Sequence, residues 1–274
     1  IYQLIANKNN KKLKDFIINN ENPNPNNRIK IPQIGTLHEN QMLAIEYALG
    51  IEDYLLIQGP PGTGKTLTIA HMIEQLVKSE KKVIVGCYTH RAVDEVIKKL
   101  KEHTSFDFPI YRVGESSSQD INQYSIENVI NNKEDIDSRV ATAEKILSEN
   151  GVYIATTHKW LSGGFDAMIK KHGRYDVAII DEASQVIVPN ALGTLRLAEK
   201  FILVGDHKQL PPVIQSEEAQ ELSDTLFETL YNNKGADEST KIMLDMQHRM
   251  PQGISDFISN EFYEKKLNTF DLYR

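Results

Sequence analysis

The chain has one cysteine, Cys87, among its 274 residues. No intramolecular disulfide can form, which excludes a disulfide-stapled secreted domain and points to a reducing, intracellular setting. No apolar run approaches the ~20 residues that a bilayer requires, so no membrane span is expected. The start at Ile1 lacks the charged head and apolar core of a signal peptide and reads as a domain boundary. There is no excess of positive charge: 31 Lys and Arg face 38 Asp and Glu, for a net charge of −7. A chain built to coat nucleic acid is usually basic, so overall acidity speaks mildly against that role, although a local groove answers to the local field. No two of the eight histidines stand four residues apart. With a single cysteine, that leaves no zinc or iron–sulfur pattern. There is no internal repeat, no nuclease constellation, and no run of basic residues interleaved with aromatics.

The apolar content is 40% and the charged content 25%, ordinary for a globular chain with a sizeable core. Residues 1–35 stand apart as an arm. Asn19, Asn20, Asn22, Asn24, Asn26 and Asn27 crowd around Pro23 and Pro25, which favours turns over regular elements. Beyond Leu37 the pattern becomes regular. Short apolar runs at Tyr54–Ile57, Lys82–Tyr88, Ile110–Val113, Val152–Thr156, Val177–Ile180 and Phe201–Val204 read as buried strands. Helical patterns lie at Glu39–Leu49, Lys65–Lys78, Ala92–Leu100 and Ile136–Leu147. The alternation predicts an α/β fold with a mostly parallel sheet flanked by helices. Residues 115–150 are polar throughout and read as an exposed insertion. The single tryptophan, Trp160, is expected in the core.

Three motifs fall at strand ends, where ligands bind in such sheets. The first is Gly59-Pro60-Pro61-Gly62-Thr63-Gly64-Lys65-Thr66, which satisfies G-x-x-x-x-G-K-[ST] between a strand and a helix. Its glycines let backbone N–H groups wrap phosphate oxygens, and the helix N-terminus adds positive potential. Lys65 supplies a point charge to the β- and γ-phosphates, and the Thr66 hydroxyl suits Mg²⁺. The second is Asp181-Glu182-Ala183-Ser184. Asp181 is placed to hold the hydration shell of Mg²⁺, and Glu182 to deprotonate the attacking water. The third is Gly205-Asp206-His207-Lys208-Gln209-Leu210-Pro211-Pro212, in which the Gln209 amide is the candidate γ-phosphate contact. Together these predict ATP and Mg²⁺ as cofactors.

This ordered set resembles the superfamily 1 helicases, whose first RecA-like domain is a P-loop NTPase. Tyr88-Thr89-His90-Arg91-Ala92-Val93-Asp94 is similar to motif Ia of the 5′-to-3′ branch. Its Thr-His variant most resembles the replication nuclease-helicase group that processes Okazaki flaps. Gln247-His248-Arg249-Met250 resembles that branch's Q-Y-R-M segment. The resemblance implies an ATP-dependent DNA helicase acting in replication and repair and moving 5′-to-3′ on single-stranded DNA. It also implies residue roles. Gln41 matches a glutamine that reads the adenine edge, and His38 replaces the Asn usual in that motif. Arg249 matches an arginine that reaches the γ-phosphate, and His248 stands where an adenine-stacking Tyr is usual. Thr89, His90 and Arg91 would contact nucleic acid, as would Thr156 and Thr157 of a segment similar to motif Ic; Val113-Gly114-Glu115 is similar to motif Ib.

The implied organisation is an arm at 1–35, a RecA-like ATPase domain at 36–245, and the start of a second RecA-like domain at 246–274. The remainder of that second domain would be the partner that completes the motor, so residues 1–274 alone would bind ATP, hydrolyse it slowly and not unwind DNA. Two alternatives stand beside this reading: an RNA helicase of the same branch, and a nucleotide-switched interaction or defence ATPase that never translocates.

Overall fold

A computed structural model describes residues 11–105, 107–162, 165–212 and 224–270. Seven strands form one sheet: β1 (Tyr54–Gln58), β2 (Val83–Cys87), β3 (Ile110–Arg112), β4 (Val152–Thr156), β5 (Tyr175–Ile180), β6 (Ala198–Gly205) and β7 (Lys241–Met243). Their order is β3-β4-β2-β5-β6-β1-β7, and every neighbouring pair is parallel. Strands buried on both faces need no polar alternation, which is why they appear in the sequence as unbroken apolar runs. The two-residue period still sorts them. Leu55, Ile57, Val83, Val85, Ile179 and Ile202 face one core. Tyr54, Leu56, Ile84, Ala178, Ile180 and Leu203 face the other.

The first core is covered by α2 (Glu39–Leu49), α3 (Lys65–Lys78) and α4 (His90–His103). The second is covered by α8 (Thr157–Leu161) and α10 (Val188–Leu195), and by the short N-terminal helix α1 (Lys11–Ile17). Helix α4 begins two residues earlier than the apolar pattern suggests. Thr89 is its N-cap, and its hydroxyl accepts from the Ala92 N–H at 3.1 Å. Trp160 lies fully in the second core, and its Nε1 donates to the Val85 carbonyl at 2.9 Å.

Residues 18–35 contain neither helix nor strand, as the asparagines and prolines require, yet they are bound to the body. Buried Asn26 donates from Nδ2 to the carbonyls of Tyr54 at 2.9 Å and Ser239 at 3.1 Å. Asn24 donates twice to the buried Asp53 carboxylate. The Leu13 and Phe16 side chains of α1 are buried, and Phe16 packs edge-on against Tyr54. The polar insertion forms α5 (Gln119–Asn122), α6 (Ile126–Asn131) and α7 (Ile136–Ser148), with further short helices α9 (Phe165–His172) and α11 (Leu226–Tyr231) elsewhere. After β7 the chain forms β8 (Met246–Gln247), α12 (Gln252–Phe262) and β9 (Asn268–Thr269), with β8 and β9 paired in parallel. Among the described residues no helix is long and apolar enough to cross a membrane.

Candidate nucleotide site

The loop between β1 and α3 turns on two left-handed glycines, Gly62 at φ 79° and Gly64 at φ 78°. A side chain is strained at such angles. Space excludes one as well, since a Cβ on Gly62 would lie 2.6 Å from the Arg249 Cβ. A Cβ on Gly59 would lie 2.2 Å from the Lys65 Cγ. Lys65 is folded across Gly59, and its Nζ donates to that carbonyl at 2.9 Å. Its Nζ is also 3.6 Å from the Glu182 carboxylate. The ammonium is thus held in the site by two weak acceptors that a phosphate can replace. The Thr63 hydroxyl donates to the Pro60 carbonyl at 2.8 Å, closing the loop.

Strand β5 delivers Asp181 and Glu182. Asp181 is buried, at 4% exposure. Burial first, and the neighbouring Glu182 carboxylate second, push its carboxyl up to about 7, against the opposing pull of Lys65. Glu182 sits in the left-handed region at φ 52°, a conformation that costs a non-glycine residue on the order of 1 kcal/mol or more. Two bonds impose it: the Glu182 N–H donates to Asp181 Oδ1 at 2.9 Å, and its carbonyl accepts from the Gln185 N–H at 2.8 Å. The effect is to aim the Glu182 side chain at the phosphate loop.

One cleft of about 400 Å³ is lined by Pro60, Pro61, Gly62, Thr63, Gly64, Lys65, Thr66, Glu182, Gln209, His248 and Arg249. Gly59 lies beneath Lys65 and Asp181 directly before Glu182. All three motifs therefore meet at one rim, together with Arg249 from the segment after β8. Gln247 shapes that segment: its buried Oε1 accepts from the N–H groups of Arg249 at 2.8 Å and Met250 at 2.7 Å, and its Nε2 donates to Thr269 Oγ1 at 3.0 Å. The His248 N–H donates to the Gly62 carbonyl at 3.0 Å, which docks the segment on the loop.

The residues suit Mg²⁺. Among the described residues no group of three or more His, Cys, Asp or Glu could cage a metal. Mg²⁺ keeps several waters and takes few protein oxygens beside those of phosphate. Thr66 and Asp181 supply oxygens of that kind.

Gln41 stands beside the phosphate loop. It is buried and outside the cleft lining. Its Oε1 accepts from the His38 N–H at 2.8 Å, and its Nε2 donates to the Thr63 carbonyl at 3.1 Å. Its amide braces the phosphate loop. The His38 and His248 rings meet Nε2 to Nε2 at 2.7 Å, with Phe270 packed against both. Both histidines were visible as departures from the motif, but their meeting depends on a contact across 210 residues.

A second depression, of about 580 Å³, is lined by His90, Arg91, Lys98 and Arg112, with Asp94, Glu95, Glu115 and Ser117. Exposed Tyr88, Thr89, His90 and Arg91 stand at the start of α4. Arg112 is buried at 1% exposure and paired with Asp94 at 3.0 Å, and it donates to His90 Nδ1 at 3.3 Å. Thr156 and Thr157 do not join this surface. The Thr156 hydroxyl caps α8 by accepting from the Lys159 N–H at 3.2 Å. Thr157 is 1% exposed and packs toward Gly86. The Thr156 hydroxyl thus satisfies an N–H at the start of the helix.

A family model described as AAA domain matches residues 36–151 and 128–217, and a second of the same description matches 222–271. The DNA replication ATP-dependent helicase/nuclease DNA2 of Xenopus laevis is 37% identical over 235 residues, covering 84% of this chain and 21% of that protein. Its Saccharomyces cerevisiae counterpart is 35% identical over 242 residues, covering 87% of this chain and 15% of that protein. The chain thus spans about a fifth or less of the length of these relatives. A solved structure, Bacteroides sp Pif1 in complex with ADP-AlF4, aligns with TM-score 0.48 and 16% identity over 85% of this chain and 47% of that one. With its phosphate loop, acidic strand end and Gln209 loop gathered on one parallel sheet, this chain belongs to the AAA domain family.

Proposed function

We propose that this chain binds Mg-ATP and hydrolyses it as the motor domain of a helicase that moves 5′-to-3′ on single-stranded DNA. The observation that carries the reading is the single cleft that Lys65, Thr66, Glu182, Gln209 and Arg249 share. Lys65 exchanges the Gly59 carbonyl for β- and γ-phosphate oxygens. Thr66 and Asp181 would hold Mg²⁺, which would supply positive charge to the phosphates. Glu182 takes the proton of the attacking water, and Arg249 adds positive charge at the γ-phosphate. Residues 246–274 are read as the opening of a second RecA-like domain. Motion of that segment against the phosphate loop would couple the nucleotide state to the strand. The printed names of the relatives support DNA rather than RNA.

Calorimetry and turnover test the reading together. Lys65→Ala should weaken Mg-ATP binding by about 10- to 150-fold, the equivalent of ~1.5–3 kcal/mol for hydrogen bonds to a charged group. Wild-type turnover should rise on adding single-stranded DNA and less on adding RNA of the same sequence. Turnover indifferent to either strand would favour a nucleotide switch that does not translocate.

The strand is proposed to cross the depression at the start of α4. There the Thr89 backbone, the His90 ring and Arg91 meet phosphates without reading sequence. Arg112 donates to His90 Nδ1, so the His90 proton sits on Nε2 and faces outward as a donor. Arg91→Ala should weaken binding of all sequences alike and reduce the slope of log affinity against log salt by about 0.7. An unchanged salt slope in a fluorescence-anisotropy titration would remove Arg91 from the path of the strand.

A further inference from the structure

Asp206 follows β6 and is fully buried, at 0% exposure. Among the described residues no cation is paired with it. A buried carboxylate without a counter-charge must be satisfied by hydrogen-bond donors. It offers about four lone-pair sites, and four donors fill them. Oδ1 accepts from Gln58 Nε2 at 3.2 Å and from the Lys208 N–H at 3.2 Å. Oδ2 accepts from Gln209 Nε2 at 2.8 Å and from the Tyr263 hydroxyl at 2.6 Å. The Asp206 N–H in turn donates to Ser184 Oγ at 3.0 Å, and Gln58 Oε1 accepts from the Tyr231 hydroxyl at 2.7 Å.

The three side-chain donors come from different parts of the site. Gln58 ends the strand that enters the phosphate loop, and Gln209 lines the cleft. Tyr263 caps the end of α12, in the same C-terminal stretch that carries Arg249. The bond from Gln209 Nε2 to Asp206 has a chemical consequence. That bond uses one of the two N–H donors of the amide and fixes its orientation, which leaves the carbonyl oxygen to accept a hydrogen bond from water. Burial and the Asp206 carboxylate both raise the Tyr263 phenol well above its ordinary value, so it remains a donor at any working pH.

We propose that Asp206 and Tyr263 are positioning residues that hold the Gln209 carbonyl toward the attacking water and tie its orientation to the C-terminal segment bearing Arg249. The proposal rests on the ATP-hydrolysis reading and refines it. Gln209 aligns the water, Glu182 takes its proton, and displacement of α12 withdraws Tyr263 from the carboxylate and loosens the glutamine.

A double-mutant cycle on turnover tests the link. Tyr263→Phe removes one hydroxyl and should lower kcat by about tenfold, the scale of a small misplacement. The KM for ATP should stay within about twofold, since ground-state binding is untouched. In a Gln209→Ala background, Tyr263→Phe should cost nothing further, because the two act through one contact. Independent multiplication of the two losses, or a Tyr263→Phe kcat within about twofold of wild type, overturns the proposal. A second measurement does not depend on turnover. In nucleotide-free protein, the Gln209 side-chain amide resonances should move on Tyr263→Phe, and an unmoved pair overturns the proposal. Wild-type protein without Lys65-dependent turnover would overturn the ATPase reading instead, and the amide resonances would still decide the coupling.

Discussion

Replacing Glu182 by glutamine should lower ATP turnover by about 10²–10⁴-fold, the contribution expected of a positioned general base. The substitution keeps the shape of the side chain and removes its charge and its capacity to take a proton. Backbone geometry supports the choice of this residue. Its left-handed φ of 52° is imposed from both sides, by Asp181 Oδ1 and by Gln185. Strain at a non-glycine position persists where the surroundings over-determine it, and such positions gather at functional sites. The Glu182 carboxylate also stands 3.6 Å from the Lys65 ammonium, so glutamine removes an attraction that competes with phosphate for Lys65. Mg-ATP affinity should therefore be equal to wild type or tighter. Stopped-time phosphate release and equilibrium nucleotide binding separate the two quantities. Turnover within threefold of wild type would assign the proton to another acceptor.

The second large effect concerns Asp181 and depends on pH. Its carboxyl titrates near 7 in the folded chain, against 3.8 as a reference, chiefly because burial disfavours the charge. The folded state therefore holds a proton between those values that the unfolded chain has lost. Stability from this group is fully present below 3.8 and is lost as pH rises through 7. Mg²⁺ needs the carboxylate, so ion binding at pH 6 must expel a proton that is already gone at pH 8. Apparent Mg²⁺ affinity should climb with pH and level off above about 7. Asp181→Asn removes the buried charge. At pH 8 it should stabilise the nucleotide-free protein by roughly 2–4 kcal/mol in a denaturant titration. The same change should reduce Mg-ATP turnover by about 10²-fold or more, because the metal's electrostatic contribution is worth several kcal/mol. A variant less stable than wild type at pH 8, or Mg²⁺ affinity flat across pH 6–8, would contradict this account.

Local patterns made much of the site legible. Only glycine accepts the left-handed turns at positions 62 and 64, so the phosphate loop is written in residue types that its backbone demands. Strands buried on both faces appear as apolar runs, and each run ends where its motif begins. Burial likewise made Trp160 readable as core. Other features depended on which element lies opposite. Thr156 and Thr157 match a nucleic-acid motif as letters, but the chain turns into a helix at that point and consumes them as cap and core. Gln41 matches an adenine-reading motif, yet it is locked to the loop by Thr63 and His38. The Asn-rich arm has the composition of a linker, while Asn26 closes backbone bonds across 213 residues of sequence.

By itself the sequence determined the fold class, the phosphate-loop motif and the acidic strand end. These follow from short-range rules: which residues tolerate a given φ, which periodicity buries a face, and which side chain carries charge. Only the tertiary structure decided that four donors converge on Asp206, that His38 faces His248, and that Arg249 enters the cleft over Gly62. Those contacts join positions 57, 210 and 187 residues apart, where side-chain burial and the filling of lone pairs, rather than local spacing, select the partner.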